Sequence, residues 1–101
     1  MRIRRGTTRN VSFGLPVPFG MLKEAWLTFS QRSEEVFTKT LDDMTCDGRV
    51  VWVKLTQENT LKLDENCCVE IQLRGLMTNG EAIASEITKA DVDGILREGV
   101  I

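Results

Sequence analysis

The chain contains no histidine and no tyrosine among its 101 residues, only three cysteines and two prolines, and its aromatic content is 6%. Each shortage removes options. Without histidine, the commonest general base and transition-metal ligand is missing, so an enzyme would have to work with carboxylates or a cysteine. Three cysteines cannot form a fully paired disulfide framework, and no C-x-x-C spacing is present, so the usual zinc sites are not written here. No apolar run approaches the ~20 residues that span a bilayer. The opening "MRIRRGTTRN" is basic but has no apolar h-region of a secretory signal.

What is present reads as one ordinary globular domain over residues 1–101, with 42% hydrophobic and 28% charged residues. The net charge of −2 hides an asymmetry. Arg2, Arg4, Arg5, Arg9 and Lys23 stand in the first 23 residues with no acid among them, and the acids lie beyond. Such polarity suits a basic arm meeting the acidic surface of another copy, or a charged strand edge that discourages aggregation. Nucleic acid is not expected as a partner, because the chain is acidic overall and poor in aromatics. A membrane is not expected either.

Alternation dominates the pattern. Val11, Phe13 and Leu15 share one phase; so do Ala25, Leu27 and Phe29, then Val51, Val53 and Leu55, then Val69, Ile71 and Leu73. Period two in so many segments predicts antiparallel strands with one wet face. Asp47-Gly48 and Asn79-Gly80 mark hairpin turns, the first expected to be longer than two residues because "DDMTC" is a poor strand. Pro16 and Pro18 break the chain after the first strands. "TQENTLKL" begins with Thr56, a good N-cap, and predicts one helical turn near 56–61 that crosses between sheets. The terminal "DVDGILREGVI" reads as a short helix or an extended tail. The expected fold is all-β: a small antiparallel, immunoglobulin-like or Greek-key sandwich of six to eight strands.

The candidates for chemistry are few. Asp42-Asp43 is the obvious acidic pair, but neighbours on an extended chain diverge, so a solvated pair before a turn is the expectation. Cys67 and Cys68, read as neighbours on a strand, would point to opposite faces. Their surroundings, "DEN" before and Glu70 after, are acidic and oppose thiolate formation; Cys46 likewise precedes Asp47. "RRGTT" has one glycine and no G-K-[ST], so it is no phosphate loop. Trp26 and Trp52 both fall on the polar phase of their strands. If both strands lie in one sheet, they form an exposed aromatic patch for sugar or protein. Otherwise the N-terminal arm, the C-terminal segment or a second subunit covers them, with Arg74 or Lys54 placed to stack. The candidate interaction surface is therefore Arg2, Arg4, Arg5, Trp26 and Trp52, with no catalytic, cofactor or metal residues.

The segments "IRRGTTRNVSFGLP", "LTFSQ", "DGRVVWVKLTQENTLKL" and "VEIQLRGLMTNGEAIASEI" together resemble small proteins of tailed-phage and prophage structural modules. The N-terminal domains of phage baseplate proteins share a looser form of this rhythm. The resemblance implies a non-enzymatic virion structural protein of the tail or baseplate region, with an immunoglobulin-like sandwich. It would be made in the host cytoplasm, then built into the virion, and would contact other phage structural proteins or copies of itself in a multi-copy assembly. The alternative from another class is a small carbohydrate-binding module that stacks sugars on Trp26 and Trp52.

Overall fold

In the computed structural model, which describes all residues 1–101, two sheets pack face to face. The strands are β1 (Arg2–Arg4), β2 (Arg9–Gly14), β3 (Leu22–Gln31), β4 (Glu34–Thr40), β5 (Met44–Asp47), β6 (Val50–Leu55), β7 (Val69–Met77), β8 (Ala82–Ala84) and β9 (Thr88–Asp93). One helix, α1 (Gln57–Leu61), interrupts them, and single 3-10 turns cover Phe19–Met21 and Leu41–Asp43. The larger sheet runs β1-β9-β7-β3-β4, with β8 also paired to β7; the smaller runs β2-β6-β5. The all-β sandwich is the expected one. Its nine strands include the three-residue β1 and β8, too short for any periodicity to reveal.

The alternating residues form the interior. Ala25, Leu27 and Phe29 of β3, and Val69, Ile71 and Leu73 of β7, face Val11, Val51, Val53 and Leu55 of the smaller sheet in one buried cluster. Phe29 and Phe37, opposite one another on β3 and β4, stack with centroids 4.5 Å apart. A bulge follows immediately, between Phe29 and Ser30. It twists the edge strand β4 and leaves Glu34 and Glu35 on its exposed margin, a combination that resists edge-to-edge pairing. Gly75 of β7 lets two side chains close over the backbone: a Cβ there would lie 2.9 Å from Leu22 Cδ2 and 3.3 Å from Ile83 Cγ1.

Several local expectations need correction. "MTCD" is a strand, β5, and the Asp47-Gly48 hairpin has the minimal loop: Asp47 pairs with Val50 across Gly48 and Arg49. Gly48, at φ +62, supplies the positive angle that this turn requires. The Asn79-Gly80 turn is one residue longer, closed by Met77 N–H donating to Glu81 O at 2.8 Å, with Gly80 at φ +88. A further hairpin turn, Arg32-Ser33 between β3 and β4, carries positive φ at both residues (53° and 65°) without glycine or asparagine. Not every pair is antiparallel either: β1 runs parallel to β9, with Arg2, Ile3 and Arg4 beside Asp91, Val92 and Asp93.

The helical turn is as expected. Asn59 N–H donates to Thr56 Oγ1 at 3.1 Å and Thr56 N–H donates to Asn59 Oδ1 at 3.0 Å, a reciprocal cap. This turn carries the chain from β6 in the smaller sheet to β7 in the larger. Thr60, fully buried, donates to Thr7 O at 2.9 Å and so fixes the β1–β2 connection against the helix. Beyond it, Gln31 reaches in from the end of β3. Its Nε2 donates to Asp64 O at 2.8 Å and Cys67 O at 3.1 Å, and its Oε1 accepts from Asp64 N–H at 2.8 Å. One buried amide thus holds the whole 64–67 loop.

Candidate interaction surface

The five candidate residues divide into three groups. Arg2 and Arg4 sit on β1, and the parallel register brings them to the acids of β9. Arg2 donates through Nη2 to Asp93 Oδ1 at 2.7 Å and through Nη1 to Asp91 Oδ2 at 3.2 Å; Arg4 Nη1 donates to Gly94 O at 2.6 Å. The hydrogen bond from Arg2 holds the Asp93 carboxyl below the usual carboxylate range, aided by the charges of Arg2 and Arg4 and opposed by partial desolvation. These arginines are exposed, but each is already engaged within the chain.

Arg5 is a structural residue. Its Nε donates to Leu63 O at 2.8 Å, its Nη2 to Leu61 O at 3.1 Å, and its Nη1 to Glu98 Oε1 at 2.6 Å. The first two carbonyls lie at and beyond the C-terminal end of α1, where backbone acceptors lack helical partners. The basic opening is therefore no free arm: it is a sheet strand whose charges meet the acids of the same chain. Sequence spacing gave no sign of this, because the partners stand about 90 residues away.

Trp26 and Trp52 lie on different sheets. Trp26 is on β3, on the outer face of the larger sheet, with Arg74 opposite it on β7 and Thr40 on β4. Trp52 is on β6, on the outer face of the smaller sheet, between Ser12 on β2 and Thr45 on β5. The single aromatic patch that one shared sheet would create does not form, since the whole sandwich separates the rings. Both remain well exposed, 40% for Trp26 and 45% for Trp52, so neither β1 nor the C-terminal segment closes over them. Polar side chains flank each ring: Thr28 and Thr38, whose hydroxyls are 3.3 Å apart, with Thr40, Glu35 and Arg74 near Trp26, and Ser12 and Thr45 beside Trp52. Val50, two residues before Trp52, adds a second exposed apolar side chain to that face.

The remaining chemical candidates resolve as local structure. Asp42 and Asp43 stand in a 3-10 turn rather than on an extended chain, and Asp43 Oδ2 accepts from Thr40 N–H at 2.9 Å, capping that turn. Cys67 and Cys68 precede β7 instead of lying within it, so they do not report on sheet register. Both are free thiols, as is the exposed Cys46 of β5. Asp64, whose carboxyl is lowered first by the Asn66 backbone N–H and then by Arg32, closes the loop before them. The largest of several open hollows was not visible in the sequence: a groove of about 570 Å³ between β2 and the β8–β9 edge. No helix is long and apolar enough to cross a membrane. No protein-family model and no curated protein matches this chain.

Proposed function

We propose that this chain is a non-enzymatic structural protein of a phage or prophage virion, from the tail or baseplate region, acting through protein–protein contacts. The observation that carries the reading is the placement of the tryptophans: each outer face of the sandwich presents one half-exposed indole among largely polar residues. Covering the ~100 Å² left open on either ring would contribute about 2.5 kcal/mol, the scale of an interface anchor. Two such faces, back to back, suit a module held between neighbours in a multi-copy assembly. The strand-and-turn resemblance to phage structural modules supplies the setting, with synthesis in the host cytoplasm followed by incorporation into the particle. Its partners are then other virion proteins or further copies of itself.

The test is particle composition. In particles purified from the phage or prophage that encodes it, mass spectrometry finds the chain at fixed stoichiometry, and Trp52→Ala or Trp26→Ala lowers its incorporation. Absence from purified particles overturns the reading.

The carbohydrate-binding alternative retains one observation in its favour. Trp26, Arg74, Glu35, Thr28, Thr38 and Thr40 line a shallow depression with an aromatic face and hydrogen-bonding rims. A glycan that quenches tryptophan fluorescence in the wild type but not in Trp26→Ala would establish it; a titration series without quenching removes it.

A further inference from the structure

The two ends of the sandwich carry complementary features that a single copy cannot bring together. At the α1 end, residues 94–101 leave β9 and cross the helix. Ile95 packs over Gly6, where a Cβ would lie 2.7 Å from Ile95 Cδ1. Glu98 bonds Arg5, and Ile101 exchanges two hydrogen bonds with Gln57, its N–H donating to Oε1 at 2.8 Å and its O accepting from Nε2 at 3.1 Å. Polar groups thus hold the segment against the body, while Leu96, Val100 and Ile101 face solvent, Leu96 wholly so. Three exposed aliphatic side chains within six residues form an apolar ridge with nothing on it.

At the other end lies the groove. Phe13, Leu15 and Leu73 give it an apolar floor, and Ala84, Ser85 and Thr88 form one wall. Its volume, about 570 Å³, falls in the ~300–1,000 Å³ range of sites that enclose a compact ligand. β2 and β8, which flank it, each have a hydrogen-bonding neighbour on one side alone, so the groove is bordered by strand edges able to receive an extended segment. Glu86 stands at the rim, and the ridge carries Arg97 between Leu96 and Glu98. The ~17 Å run of β2, from its Arg9 end beside α1 to its Gly14 end at the groove, separates the two features within one copy.

We propose that the ridge of Leu96, Val100 and Ile101 docks in the β2–β8 groove of a second copy, joining copies head to tail. The inference rests on the assembly reading above and adds to its tryptophan faces a separate contact between copies. The occupant is another copy of this chain because the ridge matches the groove in apolar character and in the Arg97–Glu86 charge pairing. Contacts of this heterologous kind close into rings or extend as open filaments.

Sedimentation of the full chain, with two variants, tests it. Leu96→Asp combined with Val100→Asp spoils the ridge; Thr88→Trp, on the inward phase of β9 opposite Ile71, fills the groove. Wild-type mass rises with concentration, each variant alone stays monomeric, and an equal mixture of the two stops at a dimer, since one intact ridge meets one intact groove. Circular dichroism confirms that both variants are folded. A labelled peptide of residues 94–101 binds the wild type and is weakened about tenfold or more by Thr88→Trp. If the wild type assembles but the mixture gives no dimer, the head-to-tail mode is wrong. If the wild type is monomeric throughout and takes no peptide, the proposal is overturned. In either case particle composition decides separately whether the chain is a virion protein.

Discussion

Replacing Gln31 by methionine tests how this sandwich holds its longest irregular loop. The change preserves length and nearly preserves volume, so packing is barely disturbed. It removes three hydrogen bonds, from Nε2 to Asp64 O and Cys67 O and from Asp64 N–H to Oε1. Gln31 is only 6% exposed, so water does not simply replace the amide. Three bonds at about 1 kcal/mol each give roughly 3 kcal/mol, with a further 1–3 kcal/mol for each backbone group left wholly unpaired. The loop can shift to solvate part of what is freed, since Glu65, Asn66 and Cys68 are already exposed. The net expectation is a loss of about 3 kcal/mol, or a Tm lower by roughly 12–24 °C for a domain of this size. Urea unfolding followed by tryptophan fluorescence measures it directly, because a change in midpoint without a change in slope isolates native-state stability. A loss below about 0.5 kcal/mol at unchanged slope would show that the clamp is ornamental. The accounting of the loop by its buried amide would then be wrong.

Other substitutions probe separate parts of the fold. The Arg32-Ser33 turn holds two ordinary residues at positive φ, each costing ~1–2 kcal/mol relative to glycine. Replacing the pair with Asn-Gly should stabilise by about 1 kcal/mol after the lost Arg32–Asp64 pair and the added chain entropy are subtracted. A thermal melt that moves down instead would refute the turn's strain. Gly75→Val drives methyl groups into Leu22 and Ile83 and should cost about 1–3 kcal/mol despite valine's strand preference, read from the urea midpoint. Asp93, lowered by Arg2, contributes stability above the ordinary carboxylate value and loses it as pH falls through its depressed folded value. Asp93→Asn should therefore be less stable than the wild type at neutral pH and low salt, and equal to it in strong acid. A gap that persists in acid would assign the effect to something other than this ion pair.

Much of the sandwich was written in period two. The inward phases of β2, β3, β6 and β7 were legible because each has at least three alternating apolar residues, and Thr56 announced α1 through its cap. What stayed hidden has a common cause. Alternation assigns a residue to a face but not to a sheet, which is why Trp26 and Trp52 were compatible with one patch and yet stand on opposite sides. β5 has little strand character of its own and exists because the Gly48 turn folds it onto β6. Arg32-Ser33 lacks the glycine or asparagine that positive φ favours and is forced by the pairing of β3 with β4. Cys67 and Cys68 stand ahead of β7, and Cys67 belongs to the loop that Gln31 holds through its backbone. The β1–β9 pairing joins opposite ends of the chain, and no local pattern encodes a contact over that distance.

That pairing also sets an order of events. The β3–β4, β5–β6 and β7–β8 hairpins each close loops of a few residues, whereas β1 can add only after β9 is in place. Closing a connection of some 90 residues for three residues of strand gives a small reward for a large entropic outlay, so this edge is the last to form and the first to open. Amide exchange should divide accordingly, fast at Ile3 and Val92 and slow at Leu27 and Ile71, although all four side chains are buried. The chain would then behave as a firm seven-strand centre, β2 to β8, with a detachable seam along one margin.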